Sequence, residues 1–154
     1  MKEPKALQSV AEFHKTFNLP IEKEPIIPAP KRCELRINLL QEELNELKEA
    51  IEDNDLVEVA DALADIQYVL SGAILEFGLG EKFDDIFSEV QRSNMSKTCK
   101  TLEEAEKTQE YYREHKGMES EIKQSNGEFL VYRINDGKVL KSVNYSPADI
   151  KSKL

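Results

Sequence analysis

Apolar side chains recur at three- and four-residue steps over the middle of the chain. Between Lys31 and about Glu52 the recurring positions are Ile37, Leu40, Leu44, Leu47 and Ile51, and good helix formers fill the gaps, which predicts a long amphipathic helix. The polar triplet Asp53-Asn54-Asp55 breaks the pattern and supplies an N-cap for a second long helix, Leu56 to Phe77. So short a connection makes the two helices antiparallel neighbours. The second helix carries Leu56, Val59, Leu63, Leu70, Ile74 and Phe77 on one stripe. Its opposite face begins with Glu58, Asp61 and Asp65 and continues with Val69, Gly72 and Ala73. A helix that turns apolar or small almost all round is expected to pack on both faces, the second against another subunit or against the chain's own first helix and hairpin, with the acids at the mouth of that contact. Gly78-Leu79-Gly80 ends it in a turn.

Shorter elements surround this pair. Leu7 to Phe17 predicts a short helix with Leu7, Val10, His14 and Phe17 near one face, and Pro20, Pro25, Pro28 and Pro30 make the next segment a stiff, extended connector. Glu81 to Arg92 predicts a third major helix, Ser93 to Lys97 a polar break, and Thr101 to His115 a charged helix with Thr101 and Glu104 in capping-box spacing. After Gly117 the texture changes. Glu128 to Ile134 reads as a strand, Asn135-Asp136-Gly137 as a turn and Lys138 to Val143 as the returning strand, a hairpin that needs the helices beneath it to be stable. The expected fold is mainly α, a helical bundle with a small C-terminal β-hairpin. The expected division is a helical catalytic domain over 1–117 and a hairpin extension over 118–154 packed on it.

With 154 residues, 40% hydrophobic and 33% charged, the composition is that of a globular chain. The formal charge of -9 argues against a nucleic-acid polymer as partner, because neutralising a phosphate backbone needs clustered Lys and Arg. No run reaches the roughly 20 apolar residues of a membrane span, and the first residues interleave charge with apolar side chains instead of forming a signal sequence. Cys33 and Cys99 form no metal or disulfide pattern, which suits a cytoplasmic location.

Charge patterning supplies the candidate chemistry. Glu43 and Glu46 lie on one flank of the first long helix, and Glu58, Asp61 and Asp65 share a side of the second. Like charges at these spacings each cost an isolated helix about 0.2–0.5 kcal/mol, and a bound cation reverses that sign. Oxygen-only donors suit Mg²⁺, which shares carboxylates, water and substrate phosphates. Two ions held close together would suit hydrolysis of a phosphoanhydride. On residue chemistry alone a second reading stays open, a non-catalytic helical interaction module whose acids form a solvated face. A carboxylate-bridged di-iron bundle is disfavoured because no Glu-x-x-His motif occurs.

Glu43-x-x-Glu46 followed by Glu58-x-x-Asp61 and the run Asp65-Ile66-Gln67-Tyr68-Val69 resembles the all-α nucleoside triphosphate pyrophosphohydrolases, the group that includes MazG, dimeric dUTPases and phosphoribosyl-ATP pyrophosphohydrolase. Ser93-Asn94-Met95-Ser96-Lys97 and Asp136-Gly137-Lys138-Val139-Leu140-Lys141, with Tyr145 and Pro147, resemble its phosphoribosyl-ATP pyrophosphohydrolase-like branch. The resemblance implies an all-α pyrophosphatase-like bundle that cleaves nucleoside triphosphates between the α and β phosphates, giving monophosphate and pyrophosphate. It further implies Mg²⁺, with Mn²⁺ as a substitute, and a homodimer or homotetramer. By position, Glu43, Glu46, Glu58, Asp61 and Asp65 would be metal ligands, and Glu46 and Asp65 the catalytic acids. Asn94, Lys97, Lys138, Lys141 and Tyr68 would meet the substrate. The second motif has two registers, Glu58-x-x-Asp61, or an alignment through Asp65 that puts Ala62 at an acidic position; the first keeps both acids.

Overall fold

The computed structural model describes residue 2 and residues 4–154; Met1 and Glu3 lie outside the described residues. It has five α-helices and a two-stranded hairpin, mainly α as the periodicity predicts. The chain divides into two compact units, Met1–Phe83 and Asp84–Leu154.

In the first unit α1 (Ala6–Thr16), α2 (Pro30–Glu52) and α3 (Leu56–Glu76) pack with α3 against both others. Pro30 opens α2, where a missing N–H costs nothing. Asp55 caps α3, accepting from the backbone N–H of Val57 at 2.9 Å and of Glu58 at 3.2 Å. The helix closes with paired bonds from Leu79 N–H to the Ile74 carbonyl, 3.0 Å, and from Gly78 N–H to the Leu75 carbonyl, 3.2 Å. Gly78 has φ +67, and a Cβ there would lie 1.9 Å from the Glu24 carbonyl oxygen, so no other residue fits. The proline-rich connector runs beside this helix end, with Glu22 N–H bonded to the Leu75 carbonyl and Ile26 N–H to the Phe77 carbonyl, each at 3.0 Å.

The buried heart of this unit is partly ionic. Glu76 accepts from Arg32 and, at 2.5 Å, from Arg36; Arg36 also donates to His14 Nε2 at 3.3 Å, and His14 Nδ1 bonds the Pro20 carbonyl at 2.8 Å. Gly72 leaves room for the cluster, since a Cβ there would come within 2.6 Å of the Arg36 guanidinium.

The structure corrects the predicted stripes. Leu56, Leu63 and Leu70 on α3 and Ile37, Leu44 and Ile51 on α2 are exposed, while α3 buries Ala62, Ser71, Gly72, Ile74, Leu75 and Glu76. The rest of each predicted stripe is covered, with Ile74 buried and Leu40, Leu47, Val59 and Phe77 half-buried, so periodicity found faces that pack in part and leave a ridge at seven-residue spacing open.

In the second unit α4 (Phe83–Met95) is followed by α5 (Leu102–Lys116), β1 (Ser120–Ser125) and β2 (Glu128–Arg133). Thr101 caps α5 through the Glu104 N–H at 3.1 Å. The hairpin is a partial correction: β2 forms its ladder antiparallel with β1, while the segment after it, the expected partner, pairs with β2 only around Tyr132 and Val139. Asn126 and Gly127 turn between them with φ of +51 and +78, as a tight primed hairpin turn requires. Lys138 to Val143 runs as a coil that touches the hairpin through a single bridge, Tyr132 to Val139. Cys99, Ala105, Val131 and Leu140 form the core beneath it, with Tyr112, Met118, Ile122 and Phe129 packed around them. The hairpin packs on α5, inside the same compact unit. The tail returns along α4: Ser93 Oγ and Tyr145 Oη lie 2.9 Å apart, and Arg92 donates to the Pro147 carbonyl at 3.0 Å.

Candidate active site

Antiparallel packing of α2 on α3 turns two separate sequence clusters into one electrostatic group. Glu43 is half-buried, and the loss of solvent raises its carboxyl above the usual range; the charges of Asp65, Glu46, Glu42 and Asp61 push it further in the same direction. The charges of Asp61 and Asp65 on α3 therefore reach Glu43 on α2 across the helix pair. Glu58 is exposed in the first turn of α3 and is not among the charges that raise Glu43.

Among the described residues none of these five acids has an ion-pair partner, although eight ion pairs form elsewhere. Nor do three or more His, Cys, Asp or Glu side chains converge to form a ready coordination sphere among those residues. The donors nonetheless fit a hard divalent cation in kind, being carboxylate oxygens held on two rigid helices with their mutual repulsion uncompensated.

Tyr68 lies one turn along α3 from Asp65. Its ring meets Phe13 edge-on at 5.6 Å, and it walls a pocket of about 270 Å³ with Val10, Leu39 and Val69. Leu39 is likewise one turn from Glu43, so this mostly apolar pocket follows the acid-bearing helices.

The polar residues expected from the later motifs lie in the second unit. Lys97 donates to Asn94 Oδ1 at 2.7 Å. Lys97, Lys138 and Lys141 line one pocket of about 390 Å³ together with Arg133, while Asn94 is exposed and meets it only through Lys97. Arg133 was not singled out from the sequence; its place on β2, facing the Asp136-Gly137-Lys138 segment, was the available signal. The Arg32, Arg36, His14 and Glu76 network was also missed. A glutamate at the end of an otherwise apolar helix was the one hint of it.

A model of the family described as phosphoribosyl-ATP pyrophosphohydrolase matches residues 10–94, which takes in both acidic motifs and Asn94. An uncharacterised protein of Acanthamoeba polyphaga mimivirus is 24% identical, over 88% of this chain and 90% of that protein.

Proposed function

The chain belongs to the phosphoribosyl-ATP pyrophosphohydrolase family, and from that membership we propose that it cleaves nucleoside triphosphates between the α and β phosphates, giving nucleoside monophosphate and pyrophosphate. The observation that carries the proposal is the unpaired acid group on α2 and α3, with Glu43 raised by burial and by repulsion from Asp65, Glu46 and Asp61. Glu46, Asp61 and Asp65 are exposed, and what sets the group apart from an ordinary solvated face is Glu43, half-buried and raised by their charge. Acids crowded without a counter-charge are what a cation-binding centre requires before its ion arrives.

Glu43, Glu46, Asp61 and Asp65 would hold the metal, with Glu58 at the outer end of the group. Bound Mg²⁺ would neutralise phosphate charge and lower the pKa of an attacking water. Asp65 or Glu46 would accept the proton as the water oxygen bonds to the α phosphorus and the bond to the bridging oxygen breaks. Tyr68, one turn away, would line the substrate pocket. The fixed helices provide positioning, which accounts for much of the rate in such displacements.

The exposed ridges Ile37, Leu44, Ile51 and Leu56, Leu63, Leu70 favour a second copy of the chain as their cover, in a homodimer or homotetramer. The reaction is tested by hydrolysis in ¹⁸O-labelled water. Monophosphate and pyrophosphate as the products establish cleavage between the α and β phosphates, and other products refute it; label in the monophosphate alone marks attack at the α phosphorus, whereas label in the pyrophosphate marks attack at the β phosphorus and refutes that step.

A further inference from the structure

The ionic cluster at the far end of α2 and α3 is a costly way to hold two helices together. Glu76 is 1% exposed and Arg36 7%. Taking such charges out of water carries a penalty that their attraction offsets only when the remaining donors and acceptors are also used, and apolar side chains of similar volume commonly give equal or greater stability. Here one donor goes unused. Arg36 Nε–H is buried without a hydrogen-bond partner, alone among the buried side-chain polar atoms of the described residues. Stability by itself therefore gives no reason for the cluster.

What the cluster supplies that apolar packing does not is direction. Arg32 grips Glu76 as a fork, with Nε 3.1 Å from one carboxylate oxygen and Nη2 on the other. Arg36 Nη2 meets that second oxygen at 2.5 Å and also donates to His14 Nε2 at 3.3 Å. One place thus bonds α1, α2 and α3 together, and Gly72 leaves the room for it.

That place stands in a definite relation to the acids. Glu43 lies ten residues before Asp53 and Asp65 ten residues after Asp55, so the two stand level across the antiparallel pair, about 15 Å from the connecting loop. Arg36 and Glu76 lie beyond them, at the end of the pair that the loop does not join. The acids are therefore bracketed by a covalent link on one side and an ionic one on the other. With the ionic link released, a tilt of about 5° about the loop would part the acids by about 1.3 Å, several times the roughly 0.2 Å within which metal–ligand distances are held. Non-directional apolar contacts resist such a tilt less sharply than hydrogen bonds of fixed length and angle.

We propose that Glu76 and Arg36, with Arg32, are positioning residues for the acid group: their bonds fix the angle between α2 and α3 and so bring Glu43 and Glu46 together with Asp61 and Asp65 in one cation centre. They act through the helices that carry the acids. The inference rests on the metal-dependent hydrolase reading above.

The test is calorimetric titration of the full chain with Mg²⁺ and Mn²⁺, alongside urea unfolding. In the double variant Arg36→Met, Glu76→Leu both buried charges give way to apolar side chains. Its stability is expected to meet or exceed that of Glu76→Gln, while its metal affinity stays at least about tenfold below that of the unaltered chain, as when groups that orient metal ligands are changed. Glu76→Asp keeps the charge and shortens its reach by one methylene; it supplies the folded comparison should the double variant not fold, with metal affinity lowered in the same direction. Asp55→Ala, destabilised at the opposite end of α3, keeps the unaltered affinity. Metal affinity that returns with stability in the double variant, or that is unchanged in Glu76→Asp, makes the cluster merely structural and overturns the inference. If the unaltered chain binds neither ion, the metal reading fails and this inference with it. If the unaltered chain binds them and the variants bind equally, this inference alone fails.

Discussion

Glu43 and Glu76 carry the same side chain and are driven in opposite directions by their surroundings. Burial and neighbouring acids raise Glu43, so its contribution to stability is full below the ordinary carboxylate range and is lost as pH rises through the raised value. At neutral pH its charge opposes folding. Glu43→Gln is therefore predicted to raise the melting temperature in chelator at pH 7, and to abolish the stabilisation that Mg²⁺ gives the unaltered chain, measured by thermal denaturation. Burial also pushes Glu76 up, but hydrogen bonds and charge from Arg32 and Arg36 outweigh it and hold the carboxyl below its ordinary value. Its contribution is present above the ordinary range and disappears as pH falls through the lowered value. Glu76→Gln leaves two arginines without their counter-charge, one of them buried, and should cost about 3–5 kcal/mol in urea unfolding at pH 7. The acids of the candidate site were legible because spacings of three and four residues mark one helix face. The Glu76 network was not, because its partners lie about forty residues earlier and meet it only after α2 packs on α3.

Elements were legible where local chemistry dictates them. Asp55 follows a polar loop and caps α3, so Asp55→Ala should lower stability by about 0.5–2 kcal/mol without altering the acid group, checked by denaturant unfolding. The hairpin shows where local reading fails. β1 is Ser-Glu-Ile-Lys-Gln-Ser, with one apolar residue, and shows too little apolar alternation to read as a strand. Its register is set by the Asn126-Gly127 turn, a signal stronger than the Asn135-Asp136-Gly137 segment that was read in its place. Lys138 to Val143 alternates like a strand, yet it runs along a pocket wall and buries Leu140 in the core.

At the scale of the whole molecule, two features remain exposed that a single chain does not satisfy: apolar ridges on α2 and α3, and acids on the same two helices. The ridges were read from sequence as core because periodicity reports that a face is apolar, not what covers it. If a second copy covers them, Leu63→Glu should shift the chain to monomer in analytical ultracentrifugation, while a chain that is monomeric before substitution would refute the oligomer. The acids are the more direct test of the account. No helix among the described residues is long and apolar enough to cross a membrane. The decisive measurement is pyrophosphate release from a panel of ribo- and deoxyribonucleoside triphosphates, with and without Mg²⁺, by the unaltered chain and its Glu46→Gln variant. The account predicts metal-dependent release that falls at least about 100-fold in the variant, the upper end of losses seen when even outer-shell partners of a metal are changed. Release that is independent of metal or unchanged by Glu46→Gln, or its absence across the panel from a folded protein, would contradict it.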